Sequence, residues 1–374
     1  MRCLVLSDVH GNAAALDRLI SLCEHDTHLA FDAACVLGDL SGYYYDPIAA
    51  WEVALRLDPN LHLGNHDIYL RDRLVNNHFG VTTAENESVA WTIMLHTEMM
   101  RAHQKQNVGE HAAIDAANTV AKITDHVKRT DVISPQVRTV DGYTLITVHG
   151  APFREPFHGD DSYAMTYLYG RIGPYHNLMQ TALEKAIKLA GSSAKRVILC
   201  TGHTHMPLIA SLTHNGILRW HEGDWTDEKR DAQINLNDLF EEARAVAINP
   251  GAVGYPRVAR ALAHHAHAAL IDTGAHSLRM IAIDLKDIME SVKAAMDGWD
   301  ASPYFDDIRP DLERYYTARN MPLQYATLRH WETQIRQGLI DTFLNACADD
   351  DDNLYDYVRH AADGRDGFYL RNGY

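Results

Sequence analysis

Short apolar runs and amphipathic segments alternate along the first part of the chain. Residues 2–7 and 31–37 are apolar runs of strand length, and a third short strand is predicted around 60–63. Residues 12–24 repeat apolar side chains at helical spacing, and Pro47 suits the first turn of a helix over 47–57. Strands that alternate with helices in this way predict a layered α/β fold.

The pattern changes after this first part. Residues 68–131 carry a mainly helical pattern with no strong strand signal. A hairpin is predicted next over 136–140 and 143–148, because Asp141-Gly142 is a favoured two-residue turn. The remaining predicted elements are a helix over 177–190, strands at 196–200, 207–212, 216–220, 245–248, 267–272 and 277–283, a charged insertion over 221–243, and a helical pattern from 285 onward.

Composition narrows the class of protein. The chain has 374 residues, of which 46% are hydrophobic and 22% charged, and this is typical of a globular protein with a sizeable core. Its net charge of -16 disfavours nucleic-acid polymers and anionic membrane surfaces as partners. The five cysteines are widely spaced, which predicts reduced thiols, and no apolar stretch reaches transmembrane length. We therefore expect a cytoplasmic protein with no membrane partner.

Five short polar blocks each follow an apolar, strand-like run. In open α/β sheets, functional groups collect at such strand ends. The chain has 23 histidines, and histidine is the commonest metal ligand in proteins. The blocks are Asp8-Val9-His10-Gly11-Asn12, Gly38-Asp39, Gly64-Asn65-His66-Asp67, His149-Gly150 and Gly202-His203-Thr204-His205.

Spacing, ligand type and ligand number all favour a metal centre in these blocks. On an extended chain, residues i and i+2 point the same way, so Asp8 and His10 are expected to aim into one cleft. The same spacing is found between His203 and His205. Imidazole, carboxylate and amide ligands without a cysteine suit Mn, Fe or Zn. The side chains exceed the three or four protein ligands that one metal takes, which favours two ions bridged by one carboxylate.

In this order, the blocks resemble the calcineurin-like metallophosphoesterase superfamily, whose motifs are D-x-H, G-D, G-N-H-[DE], H and G-H-x-H. More closely, the chain resembles the small prokaryotic phosphodiesterase group of that superfamily. The further segments that carry this resemblance are Gly42-Tyr43, Asp46-Pro47, Asn86, Trp91-Thr92, Val148 to Pro152, Gly202 to Pro207 and Asn249 to Arg257. The resemblance covers residues 1–284, a catalytic domain with a helical insert at about 68–131, and leaves 285–374 as a helical C-terminal extension.

The resemblance implies a fold, cofactors and a reaction. The implied fold is a four-layer αββα sandwich, in which two mixed β-sheets pack face to face and helices flank them. The implied cofactors are two divalent or trivalent transition-metal ions, namely Mn, Fe or Zn. The implied reaction is an in-line attack on phosphorus by a hydroxide that bridges the two ions.

The resemblance also assigns roles to individual residues. His66 would contact the phosphate and protonate the leaving oxygen, and Asp67 would orient the His66 ring. The implied metal ligands are Asp8, His10 and His205 for one ion, Asn65, His149 and His203 for the other, and Asp39 as the bridge.

Two departures from the wider superfamily shape the expected substrate. Phosphoprotein phosphatases carry Asp-Arg-Gly after their Gly-Asp, where this chain has Gly42-Tyr43-Tyr44-Tyr45, and its Asn-His motif ends in Asp67 rather than Glu. We therefore expect a phosphodiesterase that acts on a small phosphate ester, such as a nucleotide. A phosphomonoesterase or phosphoprotein phosphatase is the alternative, and a non-catalytic binding scaffold ranks last. The candidate substrate contacts are Asn12, Tyr43, Arg154 and Arg257, with packing as the alternative for the tyrosine and surface ion pairs for the arginines.

Two helical segments have roles that the sequence leaves open. The 68–131 insert leaves the catalytic domain next to His66, and it forms either a lid over the cleft or part of the outer packing. The 285–374 extension is a dimer interface, a cap or a regulatory surface, because its apolar stripe requires only that it pack on something.

Overall fold

A computed structural model describes residues 1–41, 47–76, 121–154, 161–168, 174–221, 233–254, 265–285 and 288. The predictions for Tyr43, Arg257, most of the 68–131 insert and nearly all of the 285–374 extension lie outside the described residues.

Helices and strands alternate along the described part of the chain. The helices are α1 (Ala13–His25), α2 (Pro47–Leu57), α3 (Asn65–Asn76), α4 (121–127), α5 (Ser162–Met165), α6 (Pro174–Ala190) and α7 (Leu236–Glu242). The strands are β1 (Arg2–Leu6), β2 (Ala33–Val36), β3 (Gln136–Val140), β4 (Tyr143–Thr147), β5 (Val197–Cys200), β6 (Pro207–Thr213), β7 (Leu218–His221), β8 (Gln233–Asn235), β9 (Ala243–Pro250), β10 (His265–Asp272) and β11 (Ser277–Asp284).

The strands form two mixed sheets. One sheet has five strands in the order β2-β1-β10-β11-β8, and the other has six in the order β3-β4-β5-β9-β6-β7. In the first sheet β1 pairs parallel with β2 and antiparallel with β10. In the second, β5 pairs parallel with β4 and β9, whereas β6 pairs antiparallel with β9. The predicted fold class, α/β with two mixed sheets, is confirmed.

Within the described residues, three apolar cores separate four layers. The outer face of the five-stranded sheet packs against α1 and α2, and the outer face of the six-stranded sheet packs against α6. The middle core contains residues of both sheets, so the sheets face each other. Representative residues are Leu6, Leu19 and Trp51 in the first core, Val5 and Ile198 in the middle core, and Leu183 and Leu199 in the third. This is the αββα sandwich that the resemblance implies.

The hairpin prediction at Asp141-Gly142 is confirmed. β3 and β4 pair antiparallel with Val140 opposite Tyr143, which leaves Asp141 and Gly142 as a two-residue loop. Both loop residues have positive φ, 49° and 80°. Two consecutive positive φ values match the turn whose twist suits a right-handed hairpin.

Two sequence predictions differ from the structure. Residues 61–64 have no regular secondary structure, although the His62 N–H donates to the carbonyl of Val36 over 2.9 Å. The prediction of a charged insertion is wrong for residues 233–242, which form β8 and α7. β8 pairs with β11, and α7 buries Leu236 and Phe240 in the middle core. The charged residues of this stretch belong in part to a short amphipathic helix, which the sequence pattern did not predict.

Both ends of the predicted helical insert belong to the packed fold. Helix α3 begins at Asn65, before the insert starts, and α4 buries Ile123 and Val127 in the same core as Trp51. None of the helices in the described part combines the length and apolar character that crossing a membrane requires.

Candidate metal centre

Four of the five polar blocks lie at the carboxyl ends of strands, and the fifth, Gly64 to Asp67, lies at the start of α3. Asp8 follows β1, Asp39 follows β2, His149 follows β4, and His203 with His205 follows β5. Because β1 is parallel to β2 and β4 is parallel to β5, each pair of strands delivers its loops to one edge of its sheet. The two sheets face each other across the middle core, and their loops meet at this edge.

The backbone at the candidate ligands is left-handed rather than extended. Asp8, His10, Asp39, His203 and His205 have φ values of 57°, 52°, 54°, 67° and 60°. The expectation that extended chain aims Asp8 with His10, and His203 with His205, is therefore wrong, although the side chains do converge. Left-handed conformations cost about 1–2 kcal/mol at a non-glycine residue. Such residues cluster at functional sites, where the surrounding structure holds them in place.

Backbone hydrogen bonds between the loops hold this conformation. The Asp8 N–H donates to the Gly38 carbonyl over 3.0 Å, and the His10 N–H donates to the Asp39 carbonyl over 2.8 Å. The Asp8 carboxylate accepts the His203 N–H, at 3.2 and 3.1 Å from its two oxygens. The loops of both sheets are thus tied together at Asp8.

The candidate ligands form two groups that share one carboxylate. In the first group, ligand atoms of Asp8, His10, Asp39 and His205 all lie within 4.8 Å of one another. In the second group, Asp39, His149 and His203 do the same. The predicted bridging role of Asp39 has its geometric basis in this shared membership.

Short distances occur within both groups. In the first group, the His205 Nε2 lies 3.0 Å from the His10 Nε2 and 3.3 Å from the Asp8 Oδ1. In the second, the His149 Nε2 lies 3.3 Å from the Asp39 Oδ2. Two nitrogens that bind one ion at about 2.1 Å lie about 3 Å apart when the angle between them is near 90°. The pair formed by His10 and His205 matches that spacing.

Backbone carbonyls orient three of the four histidines. The contacts are His10 Nδ1 to the Ser41 oxygen at 3.0 Å, His149 Nδ1 to the Leu37 oxygen at 2.9 Å, and His203 Nε2 to the Met165 oxygen at 3.1 Å. A carbonyl only accepts, so the facing nitrogen carries the hydrogen, and in the neutral ring the other nitrogen has the lone pair that could bind a metal. Metal-binding histidines are typically fixed by such outer contacts.

The centre is buried and its charges interact strongly. Asp8, His10, Asp39 and His149 are fully buried. Burial, reinforced by the Asp39 charge, raises the pKa of Asp8 to about 7. Burial alone would raise the pKa of Asp39, but the His149, His66 and His10 rings around it hold that pKa well below its ordinary value. Burial alone would lower the pKa of His149, but Asp39 and Asp8 raise it to about 9.

Three atoms at this edge fit a cation. The Oδ2 of Asp39, the Oδ1 of Asn65 and the Nε2 of His149 are buried and make no hydrogen bond within the described residues. Buried acceptors without a partner are costly unless a cation satisfies them. Carboxylate, amide oxygen and imidazole without thiolate are the ligand set of Mn, Fe or Zn. The donor atoms present therefore fit the two predicted metal ions.

His66 lies beside this centre. Its ring centroid is 4.7 Å from that of His10, at an interplanar angle of 74°, and its backbone N–H donates to the Asp39 Oδ1 over 2.9 Å. His66 is 6% exposed, so it is nearly buried beside the ligand groups.

The side chain of Asp67 contacts the loop that follows Asp39. Its carboxylate accepts backbone N–H groups from Leu40, Ser41 and Gly64 at 3.1–3.2 Å. Burial, together with the Asp39 charge, raises its pKa to about 7. Asp67 therefore fixes the loop that follows Asp39, and a role in orienting the His66 ring stays a prediction.

Two of the candidate substrate contacts are described, and both have structural partners. The Asn12 Oδ1 caps α1 by accepting the Ala15 N–H over 3.1 Å. The Arg154 Nε donates to the Tyr163 hydroxyl over 3.2 Å, and the guanidinium lies 5.6 Å from the centre of that ring. The side chain of Arg154 is exposed. Tyr43 and Arg257 lie outside the described residues.

Sequence reasoning missed the residues that support the ligands. The Asn249 side chain donates to the Gly202 carbonyl over 2.7 Å and to the Thr204 hydroxyl over 2.9 Å, which braces the loop that carries His203. Asn249 lies in the Asn249 to Arg257 segment that carries the family resemblance, but the sequence assigned no role to it. The ring of Tyr167 stacks on His203 with centroids 3.7 Å apart at 24°. A tyrosine in a loop gives no comparable signal.

The chain is similar to known proteins in structure, and no sequence comparison finds a match. No family model matches the chain, and no curated protein matches it. A metallophosphoesterase from Sphaerobacter thermophilus is similar in structure, with 20% identity, 87% of this chain and 98% of that chain covered, and a TM-score of 0.44.

Two further solved structures are similar over most of their length. One is a conserved uncharacterised protein from Streptococcus pneumoniae TIGR4, described as a predicted phosphoesterase, with 12% identity, 75% and 97% coverage and a TM-score of 0.29. The other is a protein serine/threonine phosphatase from Saccharomyces cerevisiae, with 10% identity, 76% and 80% coverage and a TM-score of 0.34. At these values the similarities assign no chemistry, and the functional conclusion rests on the site itself.

Proposed function

We propose that this chain is a metal-dependent phosphoesterase, and more specifically a phosphodiesterase that hydrolyses a small phosphate ester such as a nucleotide. The observation that carries the proposal is the position of Asp39 in two buried ligand groups at once. One carboxylate shared by two groups of imidazole and carboxylate ligands suits two ions held close together. Pairs of ions at that separation are used to hydrolyse phosphate esters.

The described residues offer four candidate ligands for each proposed ion. Asp39 would be common to both sets, and the amide oxygen of Asn65 would complete the second. The sets are Asp8, His10, His205 and Asp39 for the first ion, and Asn65, His149, His203 and Asp39 for the second. When bound, two such ions lower the pKa of water and neutralise the charge of a phosphate group.

His66 is the residue of this chain placed to handle the proton of the leaving group. It lies next to both His10 and Asp39 without belonging to either ligand group. A diester releases an alkoxide, so an imidazole within hydrogen-bond reach accelerates its departure. The burial of the surrounding groups keeps bulk water out, which strengthens each electrostatic interaction with a bound phosphate.

The net charge of -16 does not oppose this function. Charge at the site is set by the bound cations, which are the largest local charges in a metal centre. The same net charge disfavours a long polyanion, so a small phosphate ester is a better substrate than nucleic acid.

The test is reconstitution of the metal-depleted chain with Mn, followed by assay on bis-p-nitrophenyl phosphate and on p-nitrophenyl phosphate. We expect turnover that requires added metal and is faster on the diester. Faster turnover of the monoester would replace the diesterase proposal with the phosphomonoesterase alternative. No turnover of either substrate with Mn, Fe or Zn would refute the proposed function.

The matched variants are Asp39→Asn and Asp32→Asn. Asp39 belongs to both ligand groups, whereas Asp32 lies just before β2 and contacts Arg2, remote from the centre. Loss of turnover in the first variant and retention in the second would tie activity to the buried centre.

A further inference from the structure

The second ligand group is assembled from separate parts of the fold. Asn65 is the first residue of α3, His149 follows β4 and His203 follows β5. The two loops follow paired strands, and the Gly202 N–H donates to the His149 carbonyl over 2.7 Å. The start of α3 belongs to neither sheet, so its separation from these loops depends on contacts outside the strand pairing. Residues 161–168, here called the bracing segment, lie against both loops.

The bracing segment contacts His203 on two sides of its ring. The carbonyl of Met165 accepts from the His203 Nε2 over 3.1 Å, which sets the tautomer. The Tyr167 ring stacks on the His203 ring with centroids 3.7 Å apart, which sets its plane. Movement of this segment would therefore turn the imidazole.

The same segment holds the loop that carries His149. The Tyr163 carbonyl accepts the N–H groups of Gly150 and Ala151, over 2.8 and 3.2 Å. A side chain at Gly150 would lie 2.8 Å from the Thr166 carbonyl oxygen, so the segment and loop are in close contact. Residues 161–168 thus contact the His203 ring directly and the His149 loop through its backbone, while the His149 ring itself faces the Leu37 carbonyl.

An ion pair joins this segment to the helix that carries Asn65. The Arg71 guanidinium in α3 donates to both oxygens of Asp161, over 3.1 and 2.9 Å. The side chains are 15% and 32% exposed, so solvent screens the pair only in part. Asp161 occupies the N-cap position of α5, yet its side chain makes no capping hydrogen bond there. An aspartate at that position ordinarily caps its helix. Its carboxylate is instead directed to Arg71.

We propose that Arg71 and Asp161 are a positioning pair for the second metal ion. The pair links α3, which carries Asn65, to the bracing segment, which orients the His203 imidazole and holds the loop that carries His149. The inference rests on the proposed two-metal centre. It predicts a selective effect, because the first group is held through Gly38 and Ser41 rather than through this segment.

The test is Mn binding to the metal-depleted protein carrying Arg71→Lys or Asp161→Asn. A lysine keeps the charge but loses the two-pronged contact. We expect the dissociation constant of the second Mn to rise by about tenfold, as is typical when a contact outside the ligand set is lost, with the first within about twofold. The coupled two-Mn signal in electron paramagnetic resonance should weaken at stoichiometric metal.

A double variant and a matched control keep the test specific. Exchanging the partners, as Arg71→Asp with Asp161→Arg, should restore part of the affinity for the second Mn. Arg129→Lys is the control, because Arg129 also contacts both oxygens of an aspartate, Asp131, at an exposed site. It should leave both dissociation constants unchanged.

The outcomes separate this inference from the proposed function. Unchanged affinity for the second Mn in both single variants, or an equal loss in Arg129→Lys, would overturn the inference. Equal weakening of both ions would also overturn it, since that is the effect of general destabilisation. Selective weakening in a protein that binds two Mn but hydrolyses neither ester would support the positioning role and refute the proposed function.

Discussion

The Nε2 atoms of His10 and His205 lie 3.0 Å apart, although the two residues are 195 positions apart in the sequence. The Nδ1 of His10 faces the Ser41 carbonyl, so its Nε2 presents a lone pair towards His205. These two imidazole nitrogens, with Asp8 and Asp39 beside them, are the ligands proposed for the first ion.

Replacement of His10 should therefore remove the first metal ion. In His10→Asn we expect Mn affinity at that site to fall by more than the roughly 10–100-fold that outer contacts are worth, because a ligand itself is lost. Diester hydrolysis should fall with it. Metal content by elemental analysis, measured beside the rate, checks the expectation.

The control for this variant is His28→Asn, which changes an exposed histidine. It should bind metal and turn over substrate as the unmodified chain does. Full metal content in His10→Asn would contradict the assignment of His10 as a ligand.

Asp67 should act on the stability of the site rather than on proton transfer. It accepts three backbone N–H groups from Leu40, Ser41 and Gly64, so Asp67→Ala leaves buried donors unpaired. Each unpaired donor costs about 1–3 kcal/mol, so we expect a loss of several kcal/mol in the free energy of unfolding. Chemical denaturation measures it.

The alternative role for Asp67 makes a different prediction. If this carboxylate oriented the His66 ring, Asp67→Asn would shift the pH profile of hydrolysis while stability stayed constant. A pH shift without any stability change would contradict the structural role.

Gly64 should be intolerant of any side chain. A Cβ at this position would overlap the carboxylate and the backbone nitrogen of Asp39, so Gly64→Ala must displace the shared ligand. We expect loss of both Mn ions in titration calorimetry. At Gly274 an added Cβ meets its nearest atom at an ordinary 3.4 Å, so Gly274→Ala is the matched control. Normal Mn binding in Gly64→Ala would show that Asp39 is not shared between the ions.

His62 should make the stability of the chain depend on pH below neutrality. Burial lowers its pKa from 6.5 to about 4. Between these pH values, the unfolded chain binds a proton at His62 and the folded chain does not. Protons therefore favour unfolding, and stability falls as the pH drops from about 6.5 to 4. The expected loss is about 3 kcal/mol relative to a variant without this group.

The measurement compares denaturation of the unmodified chain and His62→Gln at several pH values. The variant should have a shallower decline between pH 6.5 and 4, whereas His28→Gln, at an exposed position, should follow the unmodified chain. Parallel curves for the unmodified chain and His62→Gln would contradict the expectation.

Much of the fold was predictable because strands and helices differ in the period of their apolar residues. The strand at Arg2–Leu6 and the helix at Ala13–His25 lie within two residues of the predicted bounds. The helix at Leu236–Glu242 was missed, since its exposed charged residues dominate so short a segment. The strand predicted around 60–63 failed because Leu61, His62 and Leu63 are all buried without ladder pairing.

The candidate ligand residues were predictable as a set, but the backbone contacts that hold them in place were not. Asp8 and His10 are recognisable from residue type and from their position after a strand. The left-handed backbone that aims them depends on carbonyls such as those of Gly38 and Asp39, and any residue has a carbonyl. The backbone contacts of Asp67 could not be predicted from its position next to His66 in the sequence, because they depend on how α3 directs its side chain to the Asp39 loop.

The most direct test of a two-metal centre is anomalous diffraction from crystals of this chain grown with Mn. We expect two peaks, one among Asp8, His10 and His205 and one among Asn65, His149 and His203, with Asp39 between them. A single peak, or none at these side chains, would contradict the proposed centre.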